Sequence, residues 1–327
     1  MEHRYLLGVL VLSMGLVCED MFPTTAAAVN SVMIVRHTLT KPYYSSSLRD
    51  WKFLRSAYLT NSHVVLTRDE RSQQGAVWNL QPVLFPFWEV EMEFQVHGSG
   101  SELFGDGLVF WYVKEAMLDG PVFGYKDYFH GLGVFLDTYN NYNGEHQHEH
   151  PYVSVMVNDG TQHYDHDRDG THTQTAGCTF PFRSGTHSAF LKIRYLDDKL
   201  TITKRMANER EYSPCIDADG VRLPTGYYLG VTAATGDLSD EHRLISLKTH
   251  ALVSARPMTE DRSLIKPFAA GSEKERPHSP DVPRHGRLFR FIKYLLLVSI
   301  LVAVVATVGY FSTKAYKERQ IRQKRFY

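Results

Sequence analysis

The 327-residue sequence has no excess of charge, no repeating glycine period and no alternation of strands with helices. Lysine plus arginine and aspartate plus glutamate both number 36, so the net charge gives no reason to expect a nucleic-acid partner. The lack of a glycine period excludes a collagen-like chain, and the lack of β-α alternation excludes a parallel α/β fold. No N-x-[ST] sequon occurs, so we expect the chain to carry no N-glycan of its own.

The first 28 residues have the pattern of a secretory signal peptide. Arg4 precedes the apolar residues 6–18, and small residues follow at 26–28. The apolar run is too short to span a membrane comfortably. We therefore expect residues 1–28 to direct the rest of the chain into an oxidising lumen.

Cysteine is scarce, and only Cys178 and Cys215 remain once Cys18 is removed with the signal peptide. Two cysteines in a chain that enters an oxidising compartment are typical of one disulfide. Two unpaired, buried thiols are the alternative.

Many short apolar runs separated by polar turns occupy residues 31–252. Residues 89–97 alternate strictly between apolar and polar side chains, which predicts a half-buried antiparallel strand. Residues 108–113 are apolar throughout and predict a strand that is covered on both faces. The pattern as a whole predicts an all-β domain, a sandwich or jelly roll.

Three segments of different composition follow this domain. Residues 253–291 are rich in proline and charge without a sustained heptad pattern, and they predict a flexible stalk rather than a coiled coil. Residues 294–311 are uncharged and predict a single transmembrane helix. The basic residues 312–327 predict a cytoplasmic tail, so the chain is expected to be a type I membrane protein.

Polar clusters follow two strand-like runs between residues 131 and 170. Asp137 ends the first run, Asn141 comes four positions later, and Asp169 follows the second run. We expect both runs to deliver these side chains to one end of a sheet. Together with the backbone carbonyl of Tyr139, they would offer the oxygen ligands that Ca²⁺ prefers. Ordinary turn chemistry is the alternative, because Asp and Asn favour turns.

Further polar residues are candidates for holding a sugar. Asp106 lies in a Gly-Asp-Gly sequence, and residues 236–238 form a second such turn, Gly-Asp-Leu. His166 could donate a hydrogen bond to a sugar hydroxyl and would respond to mild acid. Each of these also fits a plain turn or a solvated histidine.

Two other clusters suggest different functions. Glu89, Glu91 and Glu93 lie on one strand face at the spacing of the paired carboxylates in a retaining glycosidase, although a solvent-facing acidic stripe is the plain alternative. Three histidines between residues 146 and 150 could bind Zn²⁺ or Cu²⁺, or could belong to a flexible polar insertion. The alternative functions are a membrane-anchored glycosidase that uses these glutamates and a sugar-independent adhesion or scaffold protein.

The chain resembles the membrane-bound L-type, or legume-lectin-like, lectins of the early secretory pathway, and in particular their vesicular integral-membrane branch. The matching motifs keep their order and spacing over most of the chain. They are HTLTKPY (37–43), HGSGSELFGDG (97–107), GPVFG (120–124), FLDTYNN (135–141), PYVSVMVNDG (151–160), YDHDRDG (164–170), AGCT (176–179), GVRLPTGYYLG (220–230), TGDLSD (235–240) and KRFY (324–327).

The resemblance implies a lumenal, legume-lectin-like β-sandwich that binds high-mannose N-glycans with the help of Ca²⁺ and is not an enzyme. Such a lectin would act as a cargo receptor or quality-control lectin in the membranes of the endoplasmic reticulum, the intermediate compartment and the Golgi. The tail resembles trafficking signals. Phe326 and Tyr327 would bind vesicle coat proteins, and Lys324 and Arg325 would favour retrieval; an ordinary basic flank is the alternative.

The resemblance also implies the binding residues by position. The Ca²⁺ ligands would be Asp137, the carbonyl of Tyr139, Asn141 and Asp169. The sugar would contact Asp106, Asn141, His166, Gly236, Asp237 and Leu238, while Asn61 stands close to where the family tends to have a further contact. Cys178 and Cys215 would form the disulfide of the family. We expect protonation of His166, and at lower pH of the Ca²⁺ carboxylates, to weaken ion and glycan binding together.

Overall fold

The computed structural model describes residues 30–43, 48–141, 149–183, 187–257 and 260–270, together with eight separate positions between 295 and 317. The chain divides into two units, Met1–Lys274 and Glu275–Tyr327, and each described strand belongs to the first unit. The predicted signal peptide, the stalk beyond residue 270, most of the transmembrane and tail segments and the signal at 324–327 lie outside the described residues. Among the positions that are described, no helix is both long and apolar enough to cross a membrane.

Two antiparallel sheets enclose one main hydrophobic core, as the short apolar runs predicted. Within the described ranges, eight strands form the first sheet. Their order is β13 (Ser213–Asp219), β12 (Lys199–Met206), β11 (Ala189–Leu196), β6 (Trp88–His97), β16 (Glu241–Leu252), β4 (Val64–Thr67) and β3 (Tyr58–Leu59), with β1 (Ser31–Met33) also paired to β16. Burial in β6 alternates residue by residue, which confirms the predicted half-buried strand.

Seven strands form the second sheet in the part of the chain that is described. Their order is β10 (Ala176–Thr179), β9 (Tyr152–Asp159), β8 (His130–Asp137), β7 (Gly107–Val113), β15 (Tyr228–Ala234), β5 (Gln74–Asn79) and β2 (Trp51–Arg55). Each residue of β7 is buried, because Phe110 faces the main core while Trp111 faces a second cluster on the outer side of the sheet. The prediction of a strand covered on both faces is confirmed.

Aromatic side chains dominate the second cluster, which we call the outer cluster. It contains Trp78, Trp111, Tyr125, Phe129, Phe135 and Tyr164. Tyr125 and Phe129 come from the loop between β7 and β8, and Tyr164 comes from the loop after β9. Burial of these large rings holds both loops against the outer face of the second sheet.

A disulfide joins the two sheets at their edges. Cys178 lies in β10 and Cys215 in β13, with their Cα atoms 5.4 Å apart. The structure therefore contains the disulfide and not two free thiols.

The segment 260–270 packs on the sandwich although its composition predicted a stalk. Arg262, in the 3₁₀ turn Arg262–Leu264, is only 8% exposed and forms an ion pair with Asp198. The short strand β17 (Phe268–Ala269) pairs with β14 (Val221–Arg222). The burial of Arg262 and the pairing of β17 with β14 hold this segment on the sandwich, although it contains few aliphatic residues.

Two further 3₁₀ turns are Val35–His37 and His166–Arg168.

One buried histidine makes the stability of the sandwich depend on pH. His242 is fully buried beside Thr67, and burial, followed by the charges of His97 and Arg183, lowers its pKa to about 3. Below its ordinary pKa of 6.5 the unfolded chain binds a proton that the folded chain does not, so stability falls with pH. We expect His242 alone to cost about 2 kcal/mol of unfolding free energy between pH 7 and pH 5.

Denaturant unfolding of the full-length chain, followed by tryptophan fluorescence at the two pH values, measures this loss. His242→Gln should reduce the pH dependence by that amount. Equal pH dependence in the wild type and His242→Gln would contradict the assignment.

Candidate functional site

The antiparallel register of the second sheet brings four strand ends together at one edge. Gly107, which begins β7, pairs with Asp137 at the end of β8 and with Ala234 at the end of β15. Asp137 also pairs with Tyr152, which begins β9. The segments that flank these ends therefore meet at the same edge: Asp106 before β7, residues 138–141 after β8, residues 149–151 before β9 and residues 235–238 after β15.

Asp169 reaches this edge by a route that the sequence did not predict. Because β8 and β9 are antiparallel, β9 ends at Asp159, which pairs with His130 at the opposite edge of the sheet. The chain then returns across the outer face, where the ring of Tyr164 stacks on Phe135 with centroids 4.4 Å apart. Asp137 and Asp169 thus meet at one end of the sheet, as expected, but a returning loop and not the end of β9 brings Asp169 there.

Asp137 and Asp169 form a buried acidic pair at this edge. They are 5% and 4% exposed, and a carboxylate oxygen of each lies within 4.8 Å of the other. Burial, and next the charge of Asp169, raise the pKa of Asp137 well above its ordinary value, although the backbone N–H of Tyr139 donates to its Oδ1 at 2.9 Å. Asn141 donates to Oδ1 of Asp169 from its backbone N–H at 3.1 Å and from its amide at 3.0 Å.

The acidic pair and its neighbours fit a hard divalent cation. Carboxylates of Asp137 and Asp169, the amide oxygen of Asn141 and the carbonyl of Tyr139 make an oxygen-only donor set of the kind that Ca²⁺ prefers. Two buried carboxylates are costly to ionise unless positive charge compensates them, and a cation between them supplies that charge.

Asp106 and the turn at residues 236–238 lie together beside the acidic pair. A Cβ atom added to Gly236 would lie only 3.2 Å from Oδ2 of Asp106, so the absence of a side chain at Gly236 allows this close approach. Burial, and then the charge of Asp237, raise the pKa of Asp106 to about 6. The backbone of this residue is held on two sides, because its N–H donates to Ala234 and Thr138 donates to its carbonyl.

His166 is fixed by its own neighbours. Its Nε2–H donates to the carbonyl of Pro121 at 3.0 Å, and its ring lies 4.8 Å from that of Tyr164 and 5.3 Å from that of Phe123. Burial is the main cause that lowers its pKa below the ordinary 6.5. The neutral ring therefore presents Nδ1 as a hydrogen-bond acceptor, whereas the sequence suggested a donor. The raised pKa of Asp106 makes this carboxyl a second group, beside His166, whose ionisation can change in mild acid.

Other predicted residues lie elsewhere, and some neighbours of the site were not predicted. Asn61 lies in the turn between β3 and β4, in the first sheet. Ser72 instead contacts the 236–238 turn, because its backbone N–H donates to the carbonyl of Gly236 at 3.1 Å. His150 joins the acidic pair, with its Nε2 3.8 Å from Oδ2 of Asp169, while the histidines at 146 and 148 lie outside the described residues. No local pattern in the sequence signals these two contacts.

Comparison with known proteins identifies the family. The sequence profile of the legume-like lectin family matches residues 30–259, more than half of the chain. The vesicular integral-membrane protein VIP36 of mouse (Mus musculus) is 44% identical over 303 residues, which cover 89% of this chain and 84% of the relative. The chain belongs to the legume-like lectin family. It is thus a lectin and not an enzyme.

Two solved structures of the VIP36 exoplasmic/lumenal domain are similar to this lectin. The Ca²⁺/Man₃GlcNAc-bound form is 44% identical, has a TM-score of 0.69 and covers 73% of this chain and 100% of that chain. The metal-free form is 46% identical, has a TM-score of 0.68 and covers 73% of this chain and 99% of that chain. The shared legume-lectin-like fold is the all-β sandwich that the sequence predicted.

The acidic stripe on β6 does not resemble a glycosidase site in this lectin. Burial alone would raise the pKa of Glu91, but hydrogen bonds and charges from Lys248, Tyr212 and Lys192 outweigh burial and lower it. Glu89 forms an ion pair with Arg194 at 2.7 Å. A general acid of a glycosidase needs a raised pKa, so these carboxylates match the solvent-facing stripe instead.

The like-charge pair should destabilise the ion-free lectin. Asp137→Asn removes one of two buried charges that repel each other, so in chelator the variant should unfold at a higher temperature than the wild type, by more than about 2 °C. In excess Ca²⁺ the order should reverse, because only the wild type gains stability from the ion. Thermal unfolding of the full-length chain in both conditions tests this.

Asp219→Asn serves as the matched control, because Asp219 is an exposed carboxylate on β13. It should behave as the wild type does in chelator and in Ca²⁺. A variant at Asp137 that is destabilised in chelator, or that still responds to Ca²⁺, would contradict the proposed repulsion.

Proposed function

We propose that this chain is a Ca²⁺-dependent lectin that binds high-mannose N-glycans of secretory glycoproteins in the lumen. The observation that carries the proposal is the buried pair Asp137 and Asp169 beside Asp106, in a chain 44% identical to a VIP36 domain solved with Ca²⁺ and Man₃GlcNAc. The acidic pair would hold the ion, with the carbonyl of Tyr139 and the side chain of Asn141 as further ligands. The ion supplies positive charge that the buried carboxylates lack.

The sugar would lie between Asp106, His166 and the 236–238 turn. The carboxylate of Asp106 accepts hydrogen bonds from sugar hydroxyls, and such charge-assisted bonds are stronger than neutral ones. The open backbone at Gly236 leaves room close to that carboxylate. Asn141 contacts Asp169 and would also contact the sugar, so it links ion binding to sugar binding. Ser72 supports the turn through its backbone hydrogen bond to Gly236, and we leave Asn61 out of the proposed site.

We further propose that the lectin is a cargo receptor or quality-control lectin between the endoplasmic reticulum and the Golgi. The similarity to VIP36 over 89% of the chain supports an early secretory membrane protein with a lumenal lectin domain. Residues 294–311 would anchor it, and Lys324, Arg325, Phe326 and Tyr327 would recruit vesicle coat proteins and favour retrieval. The basic and aromatic residues at the end of the tail support the proposed recruitment and retrieval.

A glycan array tests the lectin function directly. The full-length chain in detergent should bind high-mannose glycans in Ca²⁺ and lose that binding in chelator. Asp106→Asn should weaken binding about tenfold or more, because a charged acceptor is lost. Asp219→Asn, at the exposed carboxylate of the first sheet, should bind as the wild type does.

Binding that persists in chelator would exclude the Ca²⁺-dependent lectin. The alternative of a sugar-independent adhesion or scaffold protein makes the opposite prediction. In that case a protein partner would remain bound to the Asp137→Ala variant, and no high-mannose glycan would bind the wild type.

Glycan affinity should fall in mild acid because Asp106 becomes protonated. In the ion-free site the pKa of Asp106 is about 6, and a nearby Ca²⁺ lowers it, so glycan affinity should fall by up to about tenfold from pH 7 to pH 5 at fixed Ca²⁺. Asp106→Asn should lose this dependence, whereas His166→Gln should retain it. Titration of an immobilised high-mannose glycan from pH 7 to pH 5 measures the effect, and a flat profile in the wild type would rule it out.

A further inference from the structure

A nitrogen ligand lies beside the oxygen ligands of the acidic pair. Nε2 of His150 is 3.8 Å from Oδ2 of Asp169, and ligand atoms of His150, Asp169 and Asp137 all lie within 4.8 Å of one another. The imidazole side chain is only 6% exposed. It is placed there by the fold, because His150 comes two residues before Tyr152, which pairs with Asp137 at the shared edge.

The two oxygens of Asp169 face different partners. Oδ1 accepts both hydrogen bonds from Asn141, on the side of the proposed Ca²⁺ ligands. Oδ2 faces the imidazole of His150 instead. Calcium takes oxygen ligands almost exclusively, whereas imidazole together with carboxylate suits first-row transition metals, among which Zn²⁺ binds nitrogen ligands strongly.

The separation between His150 and Asp169 is close to that of a small tetrahedral ion. Zn²⁺ binds imidazole nitrogen and carboxylate oxygen at about 2.1 Å, so neighbouring ligand atoms lie about 3.4 Å apart in a tetrahedral site. The distance of 3.8 Å between His150 and Asp169 needs to shorten by a few tenths of an ångström, and the separations of Asp137 from these two residues, at most 4.8 Å, need to shorten by no more than about 1.4 Å.

A buried hydroxyl beside the two carboxylates is a second observation that favours a bound ion. The hydroxyl of Tyr164 belongs to a side chain that is 1% exposed, and it has no hydrogen-bond partner among the residues the structure describes. Burial is the main cause that raises the pKa of this hydroxyl, and the charges of Asp137 and Asp169 are the next largest causes. A buried hydroxyl beside the carboxylates offers a partner to a fourth, non-protein ligand of a bound ion.

We propose that Asp137, Asp169 and His150 form a Zn²⁺ site, and that Zn²⁺ and Ca²⁺ exclude each other there. Two carboxylates balance the charge of one divalent ion, and a second ion would leave two positive charges uncompensated by these residues. A four-coordinate ion held by His150 has no place for both Asn141 and the carbonyl of Tyr139. Zn²⁺ would therefore inhibit Ca²⁺-dependent glycan binding, a consequence that depends on the proposed function.

Zn²⁺ binding is measured first, without Ca²⁺ or glycan, so that its outcome does not depend on the lectin function. Isothermal titration of the chelator-stripped, full-length chain should show a Zn²⁺ site that His150→Phe weakens at least about tenfold. The same variant should bind Ca²⁺ as the wild type does. His63→Gln, in the turn between β3 and β4, is the matched control and should change neither affinity.

Co²⁺ gives a spectroscopic test of the same ligands. Its visible absorption bands should report a four-coordinate site with one nitrogen ligand in the wild type, and His150→Phe should lose that signature. If His150→Phe also loses Ca²⁺ binding, the smaller change His150→Gln replaces it in both experiments. If the His150 variant that retains Ca²⁺ binding also binds Zn²⁺ as tightly as the wild type does, the proposed site is overturned. The zinc would then be bound by other histidines.

Competition tests the exclusion. Added Zn²⁺ should raise the apparent dissociation constant for Ca²⁺ in the wild type and much less in His150→Phe. Simultaneous binding of one Zn²⁺ and one Ca²⁺ per chain would overturn the exclusion. A chain that binds Zn²⁺ through His150 but binds no glycan under any condition would support the metal site and refute the lectin function alone.

Discussion

Repulsion between two carboxylates held away from water is the main constraint at the edge of the second sheet where the four strand ends meet. Asp137 ends strand β8 and Asp169 lies in the loop after β9, yet both are almost fully buried, and burial and the charge of Asp169 raise the pKa of Asp137. Such a pair is stable in its ionised form only with a compensating cation. Because Asn141 donates hydrogen bonds to Asp169, a cation bound by this pair would also act on Asn141.

The fold supplies the rigidity that this pair needs. The second sheet is covered on both faces, by the main core inside and by the outer cluster outside. Tyr164 stacks on Phe135, so the loop that carries Asp169 is fixed to the sheet before any ion is considered. Gly236 brings the turn at 236–238 against Asp106 in the same way, through close packing and not through a metal. Packing on the sandwich therefore sets the paths of both loops.

Some of the site could be predicted because its signals are local. Asp137 directly follows a strand-like run, and the strict alternation in β6 fixed which side chains face the core. Asp169 was identified, but its route was not, since strand direction in a sheet depends on pairing partners far apart in sequence. The contact between Ser72 and Gly236 and the approach of His150 to Asp169 gave no local signal at all. Composition alone also could not show that residues 260–270 pack on the domain.

The sequence by itself determined the all-β class, the family resemblance and the residue types that suit calcium and sugar, because hydrophobic periodicity and short motifs are properties of neighbouring residues. Only the tertiary structure decided which of those residues meet. The antiparallel register set the shared edge, the returning loop carried Asp169 to it, and packing placed an imidazole beside the carboxylates. Contacts of this kind depend on the path of the whole chain, since residues distant in sequence are brought together only when both sheets and their covering loops have packed.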